Sequence, residues 1–220
     1  MQTHQAVWAK TISEKRDNYL SFLYNLFMKK IFIIIESILY ISFLILDLVK
    51  INTTYIKYAG IILCLIYALY NKKKYQTIAF IFTAIADYFL LVILSHYEIG
   101  LLSFIIVQLV YLYFLGNINK AYFNMFLYIR GMVIIIGTLL LMIFNSMSLI
   151  NELVLIYFSN LVFNTIEAWL IGKKTLAIGL SLFVCCDICV GLFNINSANS
   201  IALYLSWFFY LPSQVLIGLA

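Results

Sequence analysis

The sequence predicts an all-α membrane protein, a polytopic bundle of about eight transmembrane helices with both termini in the cytoplasm. Its composition is the first reason: 65% of the 220 residues are hydrophobic, 10% are charged, and the mean hydropathy is +1.04. Soluble domains carry about 25% charged residues, so a water-soluble fold is excluded. The second reason is length, because continuous apolar stretches of about 20 residues are long enough to cross a hydrocarbon core of about 30 Å. A transmembrane β-barrel is disfavoured, since its strands would alternate polar and apolar side chains.

Residues 1–30 form a separate N-terminal segment that we expect to lie at the cytoplasmic interface. The segment is polar at first, from Lys10 to Asp17, and then amphipathic up to Lys29 and Lys30. Such a helix lies in the plane of the interface with its apolar face toward the lipid. A cleaved signal peptide is not expected, because no small-residue cleavage site precedes the first span. The transmembrane domain is then residues 31–220.

Eight apolar stretches in this domain are the predicted spans. To within a few residues, they cover 31–49, 55–70, 76–95, 99–115, 122–144, 152–171, 175–193 and 200–219. The lysines indicate the orientation. With the N-terminus in the cytoplasm, the cytoplasmic side collects most of them and the other side collects only Lys50 and Lys57. Cytoplasmic loops carry an excess of Lys and Arg, so this bias favours eight spans with both termini inside.

Two aspartates within the spans are the strongest candidates for function. An ionisable side chain in a transmembrane helix costs about 2.5–3.5 kcal/mol on insertion scales, so it indicates a functional site. Asp87 and Asp187 lie in the third and seventh spans, which both run outward. Each lies about 11–12 residues from the cytoplasmic end of its span, and the helical rise of about 1.5 Å per residue brings both to nearly the same depth. The sequence therefore predicts one layer that holds two carboxylates.

Other spans bring further polar side chains toward this layer. Those near the depth of the aspartates are Gln108, Tyr111, Asn160 and Tyr210, with Gln214 about one turn deeper. Pro212 is the only proline in the chain. We expect it to interrupt the last span and to free a backbone carbonyl, because proline has no N–H to donate.

The remaining ionisable groups within the spans lie away from this layer. Glu36, Arg130 and Glu167 are nearer the cytoplasmic side, while Asp47 and Lys57 are near the outer side. Arg130 is expected to pair with Glu36 or Glu167 as a buried ion pair that fixes helix contacts. Asp47 and Lys57 are each expected to extend to the membrane surface.

Several short motifs follow one another from about Tyr55 onward. They are Lys57-Tyr58, then Ala86-Asp87, then Gly100, Phe104 and Gln108-Leu109-Val110-Tyr111, then Gly179-Leu180-Ser181-Leu182-Phe183-Val184-Cys185-Cys186-Asp187, and finally Phe209-Tyr210-Leu211-Pro212-Ser213-Gln214. In order and spacing, the motifs resemble those of the YhhN-like integral membrane proteins, a family that includes lysoplasmalogenases. This chain has tyrosine for the proline of the first motif and alanine for the glycine before Asp87. It also has Gln108 for the histidine of His-x-x-Tyr.

The resemblance implies a hydrolase that cleaves the vinyl ether bond of a lysoplasmalogen, giving a fatty aldehyde and glycerophospho-ethanolamine or -choline. This reaction needs a proton delivered to the β-carbon and water that attacks the oxocarbenium-like carbon, which an acid and a base can provide. Two carboxyls in a low-dielectric site settle with one protonated, because ionising both is disfavoured. Asp87 and Asp187 are therefore the predicted acid and base, with no metal and no cofactor. The residues predicted to orient water or bind the lipid are Lys57, Gln108, Tyr111, Asn160, Tyr210 and Gln214, with Lys57 at the phosphate.

Other functions remain open at this point. A proton- or ion-coupled transporter would also need deep carboxylates beside a proline-broken helix. An inactive lipid-binding relative is a second alternative, because Gln108 cannot donate a proton as the family histidine can. A receptor or assembly protein is a third. A zinc site of three histidines and a Ser-His-Asp triad are excluded, since the only histidines are His4 in the polar segment and His96 in a loop.

The expected partners are a lysophospholipid substrate and the lipid bilayer. Nucleic acid is not expected despite the net charge of +5, because the lysines occur in small groups between apolar spans. The positive-inside bias is typical of a bacterial inner membrane protein, although a protein of the endoplasmic reticulum would show the same pattern.

Overall fold

The computed structural model describes the backbone of residues 2–120, 122–196 and 200–220, and the side chains of these residues from Leu23 onward, Ser200 excepted. Within these ranges the chain is helical. The helices are α1 (Gln2–Leu48), α2 (Thr54–Tyr70), α3 (Lys74–Asp87), α4 (Tyr97–Ile118), α5 (Phe123–Ile143), α6 (Leu149–Leu170), α7 (Lys174–Ile195) and α8 (Ser200–Leu219). A π-helical turn, Tyr88–Ile93, continues α3.

The helices confirm the predicted polytopic bundle, and the chain is an integral membrane protein. Among the described residues, seven helices are long and apolar enough to cross a membrane. The remaining one, α2, is apolar but has only 17 residues. At a rise of 1.5 Å per residue it is about 26 Å long, slightly shorter than a typical hydrocarbon core.

Residues up to Ile38 form one unit, and Leu39–Ala220 form a second. The apolar candidate span of α1, Leu23–Leu48, covers most of the predicted first span, residues 31–49. Its isoleucines at 33, 34 and 35 are exposed, as lipid-facing side chains are. No helix end falls at residue 30. The interfacial position of residues 1–30 and the cytoplasmic position of both termini stay predictions.

Six helices of the second unit form a closed ring. In order around the ring they are α2, α3, α4, α6, α7 and α8, and α8 packs back against α2. α5 packs against α6 on this ring. A ring of this kind lets polar side chains meet each other between the helices, where lipid does not reach them.

The most extensive helix contact in the ring joins α7 to α8. Gly179 of α7 lies against the backbone of α8: a Cβ atom added there would lie 2.9 Å from Cγ1 of Ile217 and 3.1 Å from the carbonyl oxygen of Ser213. Small residues allow transmembrane helices to approach this closely. The close contact fixes the position of Asp187 on α7 relative to Tyr210 on α8.

Helix α8 passes through Pro212 without a break, so the predicted interruption of the last span was wrong. The expectation of a freed carbonyl was correct. Proline cannot donate to the residue four positions earlier, which is Phe208. The hydroxyl of Tyr40 donates to the carbonyl oxygen of Phe208 at 3.1 Å instead. The helix tolerates the proline because a side chain of another helix supplies the missing donor.

The predicted third span, 76–95, divides into α3 and the π-helical turn, and the change falls directly after Asp87. The turn ends in a loop in which Leu94 and His96 both have left-handed backbone angles, with φ of 55° and 54°. π-Helical turns inside helices are rare and occur frequently at functional sites. His96 is exposed in this loop, as the sequence predicted.

Candidate functional site

Asp87, the last residue of α3, is buried in the ring with 5% of its surface exposed. The hydroxyl of Tyr210 on α8 donates a hydrogen bond to Oδ2 of Asp87 at 2.6 Å. Tyr210 is itself 5% exposed. Hydrogen bonding of this kind is what makes a buried carboxylate tolerable in an apolar environment. Two residues that the sequence placed at one depth are thus in direct contact.

Asp187 of α7 is half-buried and has a tyrosine partner of its own. The hydroxyl of Tyr157 on α6 donates to Oδ2 of Asp187 at 2.5 Å. This length is typical of an O–H donor bound to a charged oxygen. Tyr157 was not among the residues predicted from the sequence, because a single tyrosine in an apolar span cannot be told apart from the many aromatic side chains that only pack.

The two carboxylates are near enough to interact electrostatically. In the part of the chain that the structure describes, no residue donates a hydrogen bond to Oδ1 of Asp87 or Asp187, and no cation pairs with either side chain. Each carboxylate is therefore held through one oxygen and keeps the other for a ligand, for water or for a proton.

Aromatic rings hold the two tyrosines in place. The ring of Phe183 on α7 lies 6.3 Å from that of Tyr157 and 5.4 Å from that of Tyr210. Phe104 on α4 lies 5.4 Å from Tyr157 and 5.7 Å from Phe183. Tilted and edge-to-face pairs at these distances are favourable. Phe104 and Phe183 are both motif residues of the sequence analysis, so part of that pattern serves to support the tyrosines.

A second polar cluster surrounds Arg130 of α5, which is 3% exposed. Nη2 donates to Oε2 of Glu167 at 2.7 Å, which confirms one of the two ion pairs expected from the sequence. Nη1 donates to Oδ1 of Asn164 at 2.9 Å and to Oδ1 of Asn160 at 3.2 Å. Asn160, which the sequence placed beside the aspartates, is therefore hydrogen-bonded to Arg130.

Gln108 of α4 belongs to the same cluster. Its side chain is fully buried, and Nδ2 of Asn164 donates both to its Oε1 and to its backbone oxygen, each at 2.9 Å. Nε2 of Gln108 has no hydrogen-bond partner among the described residues. Leaving a buried donor without a partner costs about 1–3 kcal/mol. The structure thus bonds Gln108 to Asn164 and to neither aspartate.

One face of α6 connects the two clusters. Tyr157, Asn160, Asn164 and Glu167 follow one another at intervals of three and four residues, the spacing that aligns side chains on a helix. Tyr157 and Glu167 are ten positions apart, which corresponds to about 15 Å along the axis. This spacing of polar residues in an apolar span is the signal that could have identified Tyr157 and Asn164 from the sequence.

Lys57 lies in a third polar group, at the start of α2. Its Nζ is 2.6 Å from Oδ2 of Asp47 and 4.6 Å from the ring centroid of Trp207. Thr53 donates a hydrogen bond to the other oxygen of Asp47. Asp47 and Lys57, which were each expected to extend to the membrane surface, form an ion pair with each other.

The last two predicted residues, Tyr111 and Gln214, are each 2% exposed. Tyr111 of α4 lies near Cys64 of α2. Gln214 donates from Nε2 to Oγ of Ser213 at 3.2 Å, and Ser213 donates to the backbone oxygen of Tyr210 at 2.6 Å. Neither side chain forms a hydrogen bond with the aspartates within the described ranges, so Gln214 is connected to the site only through the backbone of Tyr210.

These features define a polytopic helical membrane protein with two neighbouring carboxylates inside its helix ring. The model of the YhhN family matches residues 52–220, well over half of the chain, and the chain belongs to this family. The resemblance of the motifs is thereby confirmed. The matched residues include all six helices of the ring and α5. No curated protein and no solved structure matches the chain.

Proposed function

We propose that this protein is a membrane-embedded hydrolase that cleaves the vinyl ether bond of lysoplasmalogen-type lysophospholipids. The observation that supports this most is the pair of neighbouring carboxylates, Asp87 and Asp187, each bound through Oδ2 by one tyrosine hydroxyl. The resemblance to lysoplasmalogenases supports the class of substrate. No metal or cofactor takes part in the proposed reaction.

In the first step of the proposed reaction, a protonated carboxyl gives its proton to the β-carbon of the vinyl ether. The electron pair of the carbon–carbon double bond forms the new C–H bond, and the ether oxygen stabilises the cation that results. We assign this step to Asp87, because it is the more deeply buried carboxyl and burial without a cation favours its neutral form. A carboxyl group in this position acts as a general acid.

In the second step Asp187 acts as the base. It is half-buried and so more accessible to water, and its free Oδ1 takes a proton from the water that attacks the cation. The resulting hemiacetal collapses: the Asp87 carboxylate takes its hydroxyl proton, the C–O bond to glycerol breaks, and the protonated Asp187 gives its proton to the glycerol oxygen. Both carboxyls then return to their starting states. One water is consumed, and the products are a fatty aldehyde and a glycerophospho head group.

The other side chains take part in the proposed reaction less directly. Tyr210 and Tyr157 hold the carboxylates through Oδ2 and so direct Oδ1 to the substrate. Gln108, Asn160, Tyr111 and Gln214 form no hydrogen bond with the aspartates among the described residues, so they act on the site only by shaping its surroundings. Lys57 binds the head group away from the reacting bond.

Product analysis in D₂O tests the proposal. Purified protein in detergent is given lysoplasmenyl-ethanolamine, and the aldehyde is trapped at once as a hydrazone for mass spectrometry. Protonation at carbon places one deuterium next to the carbonyl, and glycerophosphoethanolamine appears in equal amount. Aldehyde without deuterium contradicts the mechanism. No aldehyde from folded protein contradicts the function, and proton flux in lysolipid-free vesicles would then favour the transport alternative, which uses the same aspartates.

A further inference from the structure

A cavity of about 340 Å³ lies between the end of α1, the start of α2 and α8. The charged, polar and aromatic side chains around it are those of Asp47, Lys50, Asn52, Lys57, Tyr204 and Trp207. Two ammonium groups and one carboxylate give it a formal charge of +1. A concave site with an excess of positive charge at a membrane edge attracts anions.

The ammonium group of Lys57 is fixed in the wall of this cavity. It is bound to Oδ2 of Asp47 at 2.6 Å and lies over the rings of Trp207 at 4.6 Å and Phe43 at 5.5 Å. Thr53 donates to Oδ1 of Asp47, so the carboxylate is held independently of the lysine. Lys57 is thus held in place at the cavity, and an anion that binds it there competes with Asp47.

Lys50 supplies the second ammonium group. It lies in the turn after α1 with a left-handed backbone, φ of 61°, and its side chain is exposed. Among the described residues no acidic side chain pairs with it. Lys50 and Lys57 therefore contribute two cations, of which Asp47 neutralises only one.

Trp207 connects the cavity to the paired aspartates. Its ring lies 5.3 Å from that of Tyr210, which donates to Asp87. Trp207 and Tyr210 are three residues apart on α8, a rise of about 4.5 Å. In a lysophospholipid only the glycerol unit separates the phosphate from the ether bond. A phosphate in the cavity thus brings the ether bond toward Asp87.

We infer that this cavity is the subsite for the phosphodiester of a single-chain glycerophospholipid. The phosphate takes the place of Asp47 beside Lys57, and Lys50 binds a second phosphate oxygen. This inference rests on the proposed function for the class of lipid. Asp47 then competes with the ligand for Lys57, so its charge weakens lipid binding while it positions the lysine.

The competition predicts opposite effects of two substitutions. Lys57→Met removes the phosphate partner and lowers the affinity for a lysolipid at least tenfold. Asp47→Asn keeps an oxygen for the hydrogen bond from Thr53 but removes the competing charge, so it raises the affinity at least threefold. A purely structural ion pair predicts that both substitutions lower the affinity.

The test uses ligands that the proposed reaction cannot cleave. A tritiated lysophosphoethanolamine with a saturated alkyl ether is compared with the alkylglycerol of the same chain length, which lacks the phosphate. Binding is measured on purified full-length protein in detergent. Lys72→Met is the matched control, because Lys72 is an exposed lysine at the opposite end of α2. Lys57→Arg retains the charge and tests the site if the Met variant does not fold.

Two results together support the subsite. Lys57→Met binds the phospholipid more weakly but binds the alkylglycerol as the wild type does, and Lys72→Met and Lys57→Arg bind both ligands with wild-type affinity. An equal loss of affinity for both ligands in Lys57→Met overturns it. So does a lower affinity of Asp47→Asn for the phospholipid. Competition by glycerophosphoethanolamine that is as strong as that of the lysolipid also overturns it, since the cavity would then bind a free diester. Because no bond is cleaved, the binding result stands whether or not the protein releases aldehyde.

Discussion

The hydroxyl of Tyr210 lies 2.6 Å from Oδ2 of Asp87, and this hydrogen bond crosses the ring from α8 to α3, two helices that are not neighbours in it. Tyr157 and Asp187, by contrast, join the adjacent helices α6 and α7. Four of the six ring helices therefore meet at the two carboxylates. The site exists only when the ring is closed, and this makes its activity a sensitive measure of the fold.

The tyrosine hydroxyls are expected to affect rate as well as stability. In Tyr210→Phe and Tyr157→Phe the rings still pack against Phe183, but one carboxylate loses its donor. We expect about tenfold or larger losses in kcat and a destabilisation of about 1–3 kcal/mol. Aldehyde release and the midpoint of thermal unfolding in detergent measure the two effects.

Tyr40→Phe is the matched control for these tyrosines, because it removes a hydroxyl that donates to the carbonyl oxygen of Phe208. It should lower the unfolding midpoint and leave kcat unchanged. Equal loss of kcat in Tyr40→Phe and Tyr210→Phe would show that the tyrosines act through stability alone.

The Arg130–Glu167 ion pair is expected to be structural. Removing one partner leaves a buried charge, so Arg130→Met and Glu167→Met should each destabilise the protein by about 3–5 kcal/mol. The double variant should be more stable than either single one, because neither charge is then left unpaired. Thermal unfolding of the wild type, the two single variants and the double variant gives the coupling energy between Arg130 and Glu167. A double variant whose loss equals the sum of the single losses would disprove the pairing.

Gln108→Leu tests whether this residue has taken over the role of the family histidine. Leucine preserves the volume and removes the buried Nε2 that lacks a partner, while Asn164 still donates to the backbone oxygen of residue 108. We expect stability within about 1 kcal/mol of wild type and kcat within about tenfold. A loss of about 100-fold or more in kcat would instead indicate acid–base participation of Gln108.

Gly179→Ala tests the contact between α7 and α8. The new Cβ would lie 3.1 Å from the backbone oxygen of Ser213, so the helices must separate, at a cost of about 1–3 kcal/mol. Activity should fall too, because Asp187 and Tyr210 move apart. At Gly131 of α5 nothing lies within 4 Å of an added Cβ, so Gly131→Ala should be neutral or stabilising by up to about 1 kcal/mol. Unchanged unfolding of Gly179→Ala would refute the close packing.

Much of the fold followed from the sequence, because hydropathy depends only on local composition. The eight spans have helices at the predicted positions. Depth along the helices placed Asp87, Asp187 and Tyr210 in one layer, and Asp87 and Tyr210 are in contact. Contacts between side chains were harder to predict, because they depend on how each helix is rotated about its axis. Depth alone put Asn160 beside the aspartates, whereas its position on α6 turns it toward Arg130. Tyr157 was missed for the same reason.

The sequence also could not show which side chains of other helices would bind to individual charged or polar groups. Asp47 and Lys57 were treated separately, although the turn after α1 brings them within 2.6 Å of each other. Pro212 was expected to break α8, but the hydroxyl of Tyr40 satisfies the carbonyl that it frees. In both cases a residue from another helix decided the outcome.

The most direct test of the account is aldehyde release from lysoplasmenyl-ethanolamine by purified wild type, Asp87→Asn and Asp187→Asn. Glu152→Gln is the control, since Glu152 is another carboxylate within a span and is bound by Thr138 at 2.8 Å. We expect the rate of aldehyde release to fall about 10²–10⁴-fold in both aspartate variants. Glu152→Gln should keep the wild-type rate, and all four proteins should be folded. Wild-type rates in either aspartate variant would contradict the paired-carboxylate mechanism.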